Sequence, residues 1–170
     1  MSQAMITRAA ASTVHFLDRM ATMHGQTAGL HPTIHRSGRN PAPTMTTPPC
    51  PFCHLGPERI AGSNATGLIV RDAYPVTPGH TLIIPRRHVG SFFDLTPEER
   101  SALLALLDEA RAGLARCHQP QGSNIGINDG PAAGQTVPHL HIHLIPRYAG
   151  DAEDPRGGVR WVMPGKARYW

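Results

Sequence analysis

The sequence predicts an α+β domain in which several short, mostly antiparallel strands pack around one long helix. Three observations point there. Short apolar runs recur between Gly and Pro punctuation. One stretch of about twenty residues has helical spacing and a clear start. Near residue 140, apolar residues alternate strictly with histidine.

The elements follow in order. Gly67-Leu-Ile-Val-Arg71 has strand character. Pro78 and Gly79 mark a turn into the apolar run Thr81-Leu-Ile-Ile84, which Pro85 limits. Thr96-Pro97-Glu98-Glu99 is a helix start: Thr96 can cap, Pro97 suits the first helical position, and Glu99 can complete a capping box. The helix should run to about Arg116 and bury Leu103, Leu106, Leu107, Ala110 and Leu114. Cys117 follows as a half-buried bystander. Ser123–Asn128 is the next strand. The Gly-rich loop Asp129–Gln135 then leads into a strand expected from Val137 to Ile145. That makes four or five strands and one helix.

A chain of 170 residues suggests about one domain. Its 40% hydrophobic and 16% charged residues suit a core, not a disordered solvating chain. No apolar run approaches the roughly 18–20 residues of a membrane span, so no membrane partner is expected. Three cysteines exclude a disulfide-stapled mini-domain. The net charge is +4, and much of it lies in residues 1–49, where four arginines face the single Asp18; the remainder is nearly balanced, so no nucleic-acid partner is expected. Residues 1–49 carry no sustained period and close on a Pro/Thr-rich stretch. They read as a disordered extension, or as the product of a start that belongs at Met45. The lack of an export signal and a reduced Cys pair place the protein in the cytoplasm. The domain then covers residues 50–170, with a tail from about 149.

The chemistry concentrates in His139-Leu-His-Ile-His-Leu-Ile-Pro146. Strand alternation puts His139, His141 and His143 on one face and Leu140, Ile142 and Leu144 on the other. The apolar set can pack on the helix. The histidines must meet a cleft, solvent or a metal. Alternate residues lie about 6.5–7 Å apart, so three such imidazoles do not readily share one ion, although a neighbouring pair could. Just upstream, the loop with Gly130 and Gly134 can aim N–H groups at an anion, and Gln135, Thr136 and Asn128 add side-chain donors. An ordinary β-connection would account for the glycines equally well.

Asp129-Gly-Pro-Ala-Ala-Gly-Gln-Thr-Val-Pro-His-Leu-His-Ile-His-Leu-Ile-Pro-Arg147 resembles the signature of the histidine-triad (HIT) family of nucleotide hydrolases and transferases. It looks most like the fragile-histidine-triad branch, which cleaves dinucleoside polyphosphates. The block Arg71-Asp-Ala-Tyr-Pro-Val-Thr-Pro-Gly-His80-Thr-Leu-Ile-Ile-Pro-Arg-Arg-His88 agrees, so the resemblance covers residues 50 to about 148.

The resemblance implies a HIT-like fold of five antiparallel strands and one main helix, and a homodimer. It implies that His141 is the nucleophile, attacking the α-phosphorus to form a nucleotidyl-histidine that water resolves to a nucleoside monophosphate. A backbone carbonyl on one ring nitrogen would fix the tautomer and free the other. His143 would bind phosphate oxygens, and Asn128, Gln135 and Thr136 would complete the cradle. His80 would sit near the phosphates and Asp72 on the ribose; otherwise His80 packs on its turn and Asp72 caps one. In one branch the first triad histidine joins a zinc site, which here implies Cys50, Cys53, His88 and His139 as a closed structural zinc site. His54 is an alternative ligand by proximity. The expected substrates are dinucleoside polyphosphates, phosphoramidates or adenylylated compounds. A phosphorylase would differ only in the acceptor. A zinc hydrolase using two triad histidines, and a non-catalytic nucleotide sensor, remain alternatives. The end, Arg156–Gly165, could cover a nucleobase, meet a partner subunit or simply pack; Trp161 anchors it in any case.

Overall fold

The computed structural model describes residues 49–170. The expectations for residues 1–49 fall outside the described residues, Pro49 excepted. Five strands form one sheet: β1 (Ile60–Ser63), β2 (Gly67–Arg71), β3 (Thr81–Pro85), β4 (Gly122–Ile127) and β5 (Ile142–Arg147). Their spatial order is β1-β2-β3-β5-β4, and every pairing is antiparallel. One long helix, α1 (Pro97–Cys117), links β3 to β4. A 3-10 turn (Gly158–Val162) and the single-turn α2 (Pro164–Ala167) end the chain. Among the described residues, no helix is long and apolar enough to cross a membrane.

The helix starts where its capping box forms. Thr96 Oγ1 accepts from the Glu99 backbone N–H at 3.2 Å, and Glu99 Oε2 accepts from the Thr96 N–H at 2.9 Å. Arg87 donates two bonds of 2.9 Å to the same carboxylate. The Arg87 bond and the Thr96 N–H together hold Glu99 down at about 2. Leu103, Leu106, Leu107 and Ala110 are buried against Ile69, Ile83, Leu140, Ile142 and Leu144; Leu114 packs beside them, half-buried. The apolar half of the histidine strand therefore does face the helix. Cys117 is exposed rather than half-buried, because it lies beyond that stripe.

The sheet has a second apolar layer. Leu68, Val70, Leu82 and Ile84 are buried on its other side, with Phe52, Leu55 and Ile60 over them. This explains why β2 and β3 read as continuous apolar runs: both faces are covered.

Two elements differ from expectation. β1, Ile-Ala-Gly-Ser, carries no alternation that marks a strand and forms through pairing with β2. The last strand begins at Ile142, not Val137. Before it the chain turns at Val137–His139, where the His139 N–H donates to the Val137 carbonyl at 2.8 Å, and the Leu140 N–H bonds the Val89 carbonyl at 2.7 Å. Pro138, lacking an N–H, sits in that turn.

Candidate active site

Leaving the strand carries the first triad histidine away from the other two. His139 is wholly buried, and its ring reaches back to the end of β3: Nε2 donates to the Pro85 carbonyl at 2.9 Å. That bond leaves Nδ1 as the free nitrogen, which lies 3.4 Å from Cys50 Sγ and 3.6 Å from Cys53 Sγ. His88 Nδ1 lies 3.2 Å from Cys53 Sγ. The four donor atoms all fall within 4.8 Å of one another. A tetrahedral zinc with bonds of about 2.3 Å to sulfur and 2.0–2.1 Å to nitrogen would set sulfur and nitrogen about 3.6 Å apart. Two thiols, two imidazoles and a carbonyl behind one ring therefore fit a closed metal site. His54 is not in the cluster. Burial pushes the His139 imidazole below its ordinary pKa against the opposing pull of the Pro85 carbonyl, and local desolvation beside Cys50 raises the Cys53 thiol.

His141 comes next and is buried immediately before β5. Its Nδ1 lies 2.8 Å from the His139 carbonyl, which selects, for the neutral ring, the tautomer with the proton on Nδ1 and the lone pair on Nε2. Phe52, in the turn between the two cysteines, packs edge-on against both rings, at 5.7 Å from His139 and 5.3 Å from His141. The same turn thus supplies two thiols and a wall for the middle histidine. Phe52 went unremarked in the sequence, where only its position inside Cys-Pro-Phe-Cys sets it apart.

His143 faces the other way along the sheet. Its Nδ1 meets His80 Nε2 at 3.0 Å. The far side of the His80 ring meets Asp72, with Nδ1 3.5 Å from Oδ2. Asp72 also accepts the Tyr74 N–H at 2.8 Å, an Asx turn, as the turn-capping reading of this residue expects. Burial, with the neighbouring His141 and His80, depresses His143 to about 4; burial likewise lowers His80 against the pull of Asp72. Both shifts favour the neutral rings, and their 3.0 Å contact then takes one N–H donor.

His80, His143 and Asn128 open onto a cavity of about 450 Å³ between β4 and the C-terminal turn. A hollow of about 530 Å³ lies on the helix side of Asp72 and His80, but neither His141 nor His143 lines it.

The Gly-rich loop behaves differently from an anion cradle. Gly130 and Gly134 take positive φ, as a tight turn around Pro131–Ala133 requires. The N–H groups of Ala133, Gly134 and Gln135 donate to carbonyls within the loop. The Gly130 N–H donates to Gln135 Oε1 at 2.9 Å, and Gln135 Nε2 donates to the Gly90 carbonyl at 2.8 Å. These amides brace the loop rather than pointing at a ligand. Thr136 is exposed beside them. Asp129, which sequence reasoning passed over, ties the loop down by accepting from Ser91 Oγ and the Phe92 N–H.

Comparisons with known proteins agree with this fold. A HIT domain matches residues 56–150, more than half of the chain. The chain is 46% identical over 99 residues to a bifunctional bis(5'-adenosyl)-triphosphatase/adenylylsulfatase of Arabidopsis thaliana, a match covering 58% of this chain and 55% of the relative. It is 39% identical over 84 residues to an AP-4-A phosphorylase of Mycobacterium tuberculosis, covering 49% of this chain and 43% of the relative. The chain spans about half the length of these curated relatives. Among solved structures, a Zn-bound histidine triad family protein from Mycobacterium smegmatis matches with a TM-score of 0.56 at 31% identity, covering 68% of this chain and 91% of that one. With its triad, its five-stranded sheet and its single long helix, the chain belongs to the HIT domain family.

Proposed function

We propose that this protein is a nucleotide hydrolase that cleaves at the α-phosphate of nucleoside or dinucleoside polyphosphates, or of phosphoramidates, through a covalent nucleotidyl-His141 intermediate. One observation carries the reading: the His139 carbonyl lies 2.8 Å from His141 Nδ1, so in the neutral ring the proton sits on Nδ1 and the Nε2 lone pair is the one available to attack. Nε2 uses its lone pair to form a P–N bond as the P–O or P–N bond to the leaving group breaks, and that group departs with the electron pair. The ring, now positive with Nδ1–H retained, is stabilised by the His139 carbonyl. Water then attacks phosphorus, the P–N electrons return to Nε2, and the nucleoside monophosphate and a proton are released.

His143 and His80 handle the phosphate oxygens, with Asn128 and Thr136 beside them and Asp72 on the ribose. Gln135 joins them by exchanging its bond to Gly90 for a phosphate oxygen. An arriving phosphate favours protonation of the His80–His143 pair, which lends positive charge where negative charge builds. Zinc held by Cys50, Cys53, His88 and His139 supplies a structural cross-link between the N-terminal turn and the triad segment. A second copy of the chain pairs at the free edge of β4, where Ile125 stays 47% exposed. The free thiols of Cys50, Cys53 and Cys117 suit a reducing cytoplasm.

A phosphorylase, with inorganic phosphate replacing water in the second step, is the second reading; the match to the mycobacterial AP-4-A phosphorylase favours it. The test is His141→Ala assayed on diadenosine triphosphate with and without phosphate. We expect turnover to fall roughly a thousandfold or more with the fold retained. A variant near the wild-type rate would overturn the mechanism, and product formation only with phosphate would select the second reading.

A further inference from the structure

We propose that Thr77 and Tyr148 are positioning residues, whose hydroxyls clasp the turn bearing His80 onto strand β5 and so set the spacing of the His80–His143 pair; this rests on the phosphate chemistry proposed above. The two histidines are carried differently. His143 lies within β5, whereas His80 lies one residue before β3, at the end of the turn 72–80. Much of that turn stands in water: Ala73, Tyr74, Pro75 and Val76 are exposed. Its own bonds close it on itself. The Asp72 N–H donates to the His80 carbonyl and the His80 N–H to the Thr77 carbonyl, both at 3.1 Å. Neither bond ties the turn to β5.

The backbone cannot supply that tie. The ladder between β3 and β5 ends at the pair Thr81 and Leu144. Beyond it lie Pro146 on one segment and Pro78 on the other, and neither has an N–H to donate. Two hydroxyls take over. Thr77 Oγ1, in the turn, donates to the Pro146 carbonyl at 2.7 Å. The Tyr148 hydroxyl, just beyond β5, donates to the Pro78 carbonyl at 2.8 Å. The exchange is reciprocal, since each segment gives one side-chain donor and one proline carbonyl.

Both halves of the clasp are anchored. The Tyr148 N–H donates at 2.9 Å to Asp151, whose carboxylate Arg147 holds with two bonds of 2.7 Å. Pro146 is fully buried. On the turn, Gly79 takes positive φ and lies so close to α1 that a Cβ there would sit 2.8 Å from Leu114. The product of these holds is the 3.0 Å approach of His80 Nε2 to His143 Nδ1. Stretched to about 3.6 Å, such a contact is no longer a hydrogen bond, so a slip of the turn by little more than half an ångström separates the pair. An incoming phosphate needs both rings in place at once.

Long-range proton–nitrogen NMR of protein labelled with ¹⁵N-histidine tests this at neutral pH. His143 is the ring to read, because His80 has Asp72 at its other nitrogen. Wild type should show His143 in a single tautomer. In the double variant Thr77→Val, Tyr148→Phe that ring should average between tautomers. On diadenosine triphosphate its kcat should fall about tenfold while KM stays within about twofold. Tyr148→Phe alone should move both readouts the same way and less far. Thr77→Ser keeps the donor and should keep the wild-type tautomer and kcat. A wild type with mixed His143 tautomers overturns the clasp, as does an unchanged tautomer in the double variant or, should that variant not fold, in Tyr148→Phe. Averaged tautomers with a wild-type kcat overturn the positioning role, and so does a Thr77→Ser variant as impaired as Thr77→Val. The spectra need no substrate. A wild type that turns over no nucleotide would therefore sink the hydrolase reading while the tautomers still decide the clasp.

Discussion

Two histidine clusters flank His141, and they are built in opposite ways. On one side His139 is buried, tied by one nitrogen to a backbone carbonyl, and aimed by the other at two thiols and His88. On the other side His143 pairs with His80 and opens onto a cavity. The closed cluster gathers four donor atoms that could hold a metal. The open one has two rings that favour the neutral form, one N–H between them and room for a guest. Residues two apart on either side of one position thus serve rigidity in one direction and chemistry in the other. The difference arises where the chain leaves the sheet at Val137–His139, which turns the first imidazole back toward Pro85 while His143 stays in β5.

That contrast breaks most visibly if the closed side is opened. A Cys50→Ser, Cys53→Ser double variant should lose its bound zinc, read by metal analysis, and its thermal midpoint should drop by roughly 10 °C. Turnover should fall less than about tenfold, because the open cluster is intact. Loss of activity as deep as in His141→Ala would mean that the metal takes part in the chemistry, and unchanged zinc would dismiss the site.

A smaller effect sharpens the open side. His143 titrates at about 4 in the fold and near 6.5 when unfolded. Between those values the unfolded chain holds the extra proton, so this residue's contribution to stability is complete above about pH 6.5 and declines as pH falls toward 4. Denaturation midpoints followed from pH 7.5 to 4 should therefore fall more steeply in wild type than in His143→Asn. Coincident slopes would show that burial does not hold this ring neutral.

Much of the frame was legible in the residues. Thr96 and Glu99 mark the helix start because their bonds are local, and the apolar alternation of Leu140, Ile142 and Leu144 forecasts packing on α1. The family resemblance also led to the residues that cluster at Cys50, Cys53, His88 and His139. What escaped depends on partners distant in sequence. Ile60–Ser63 becomes a strand only because β2 offers an edge, and its small residues advertise nothing. The departure of His139 from the strand depends on Pro85, and the commitment of Gln135 on Gly90, each dozens of residues away. The C-terminal segment carries no period, and its place follows from contacts with β4.

Rapid quenching of wild-type enzyme with diadenosine triphosphate, followed by peptide mass mapping, tests the nucleophile most directly. A nucleotidyl His141 predicts one acid-labile adenylyl group on the peptide containing His139–Arg147, localised to His141 and absent from His141→Ala. An adduct on His143, or turnover at the wild-type rate with no adduct at any quench time, would contradict it.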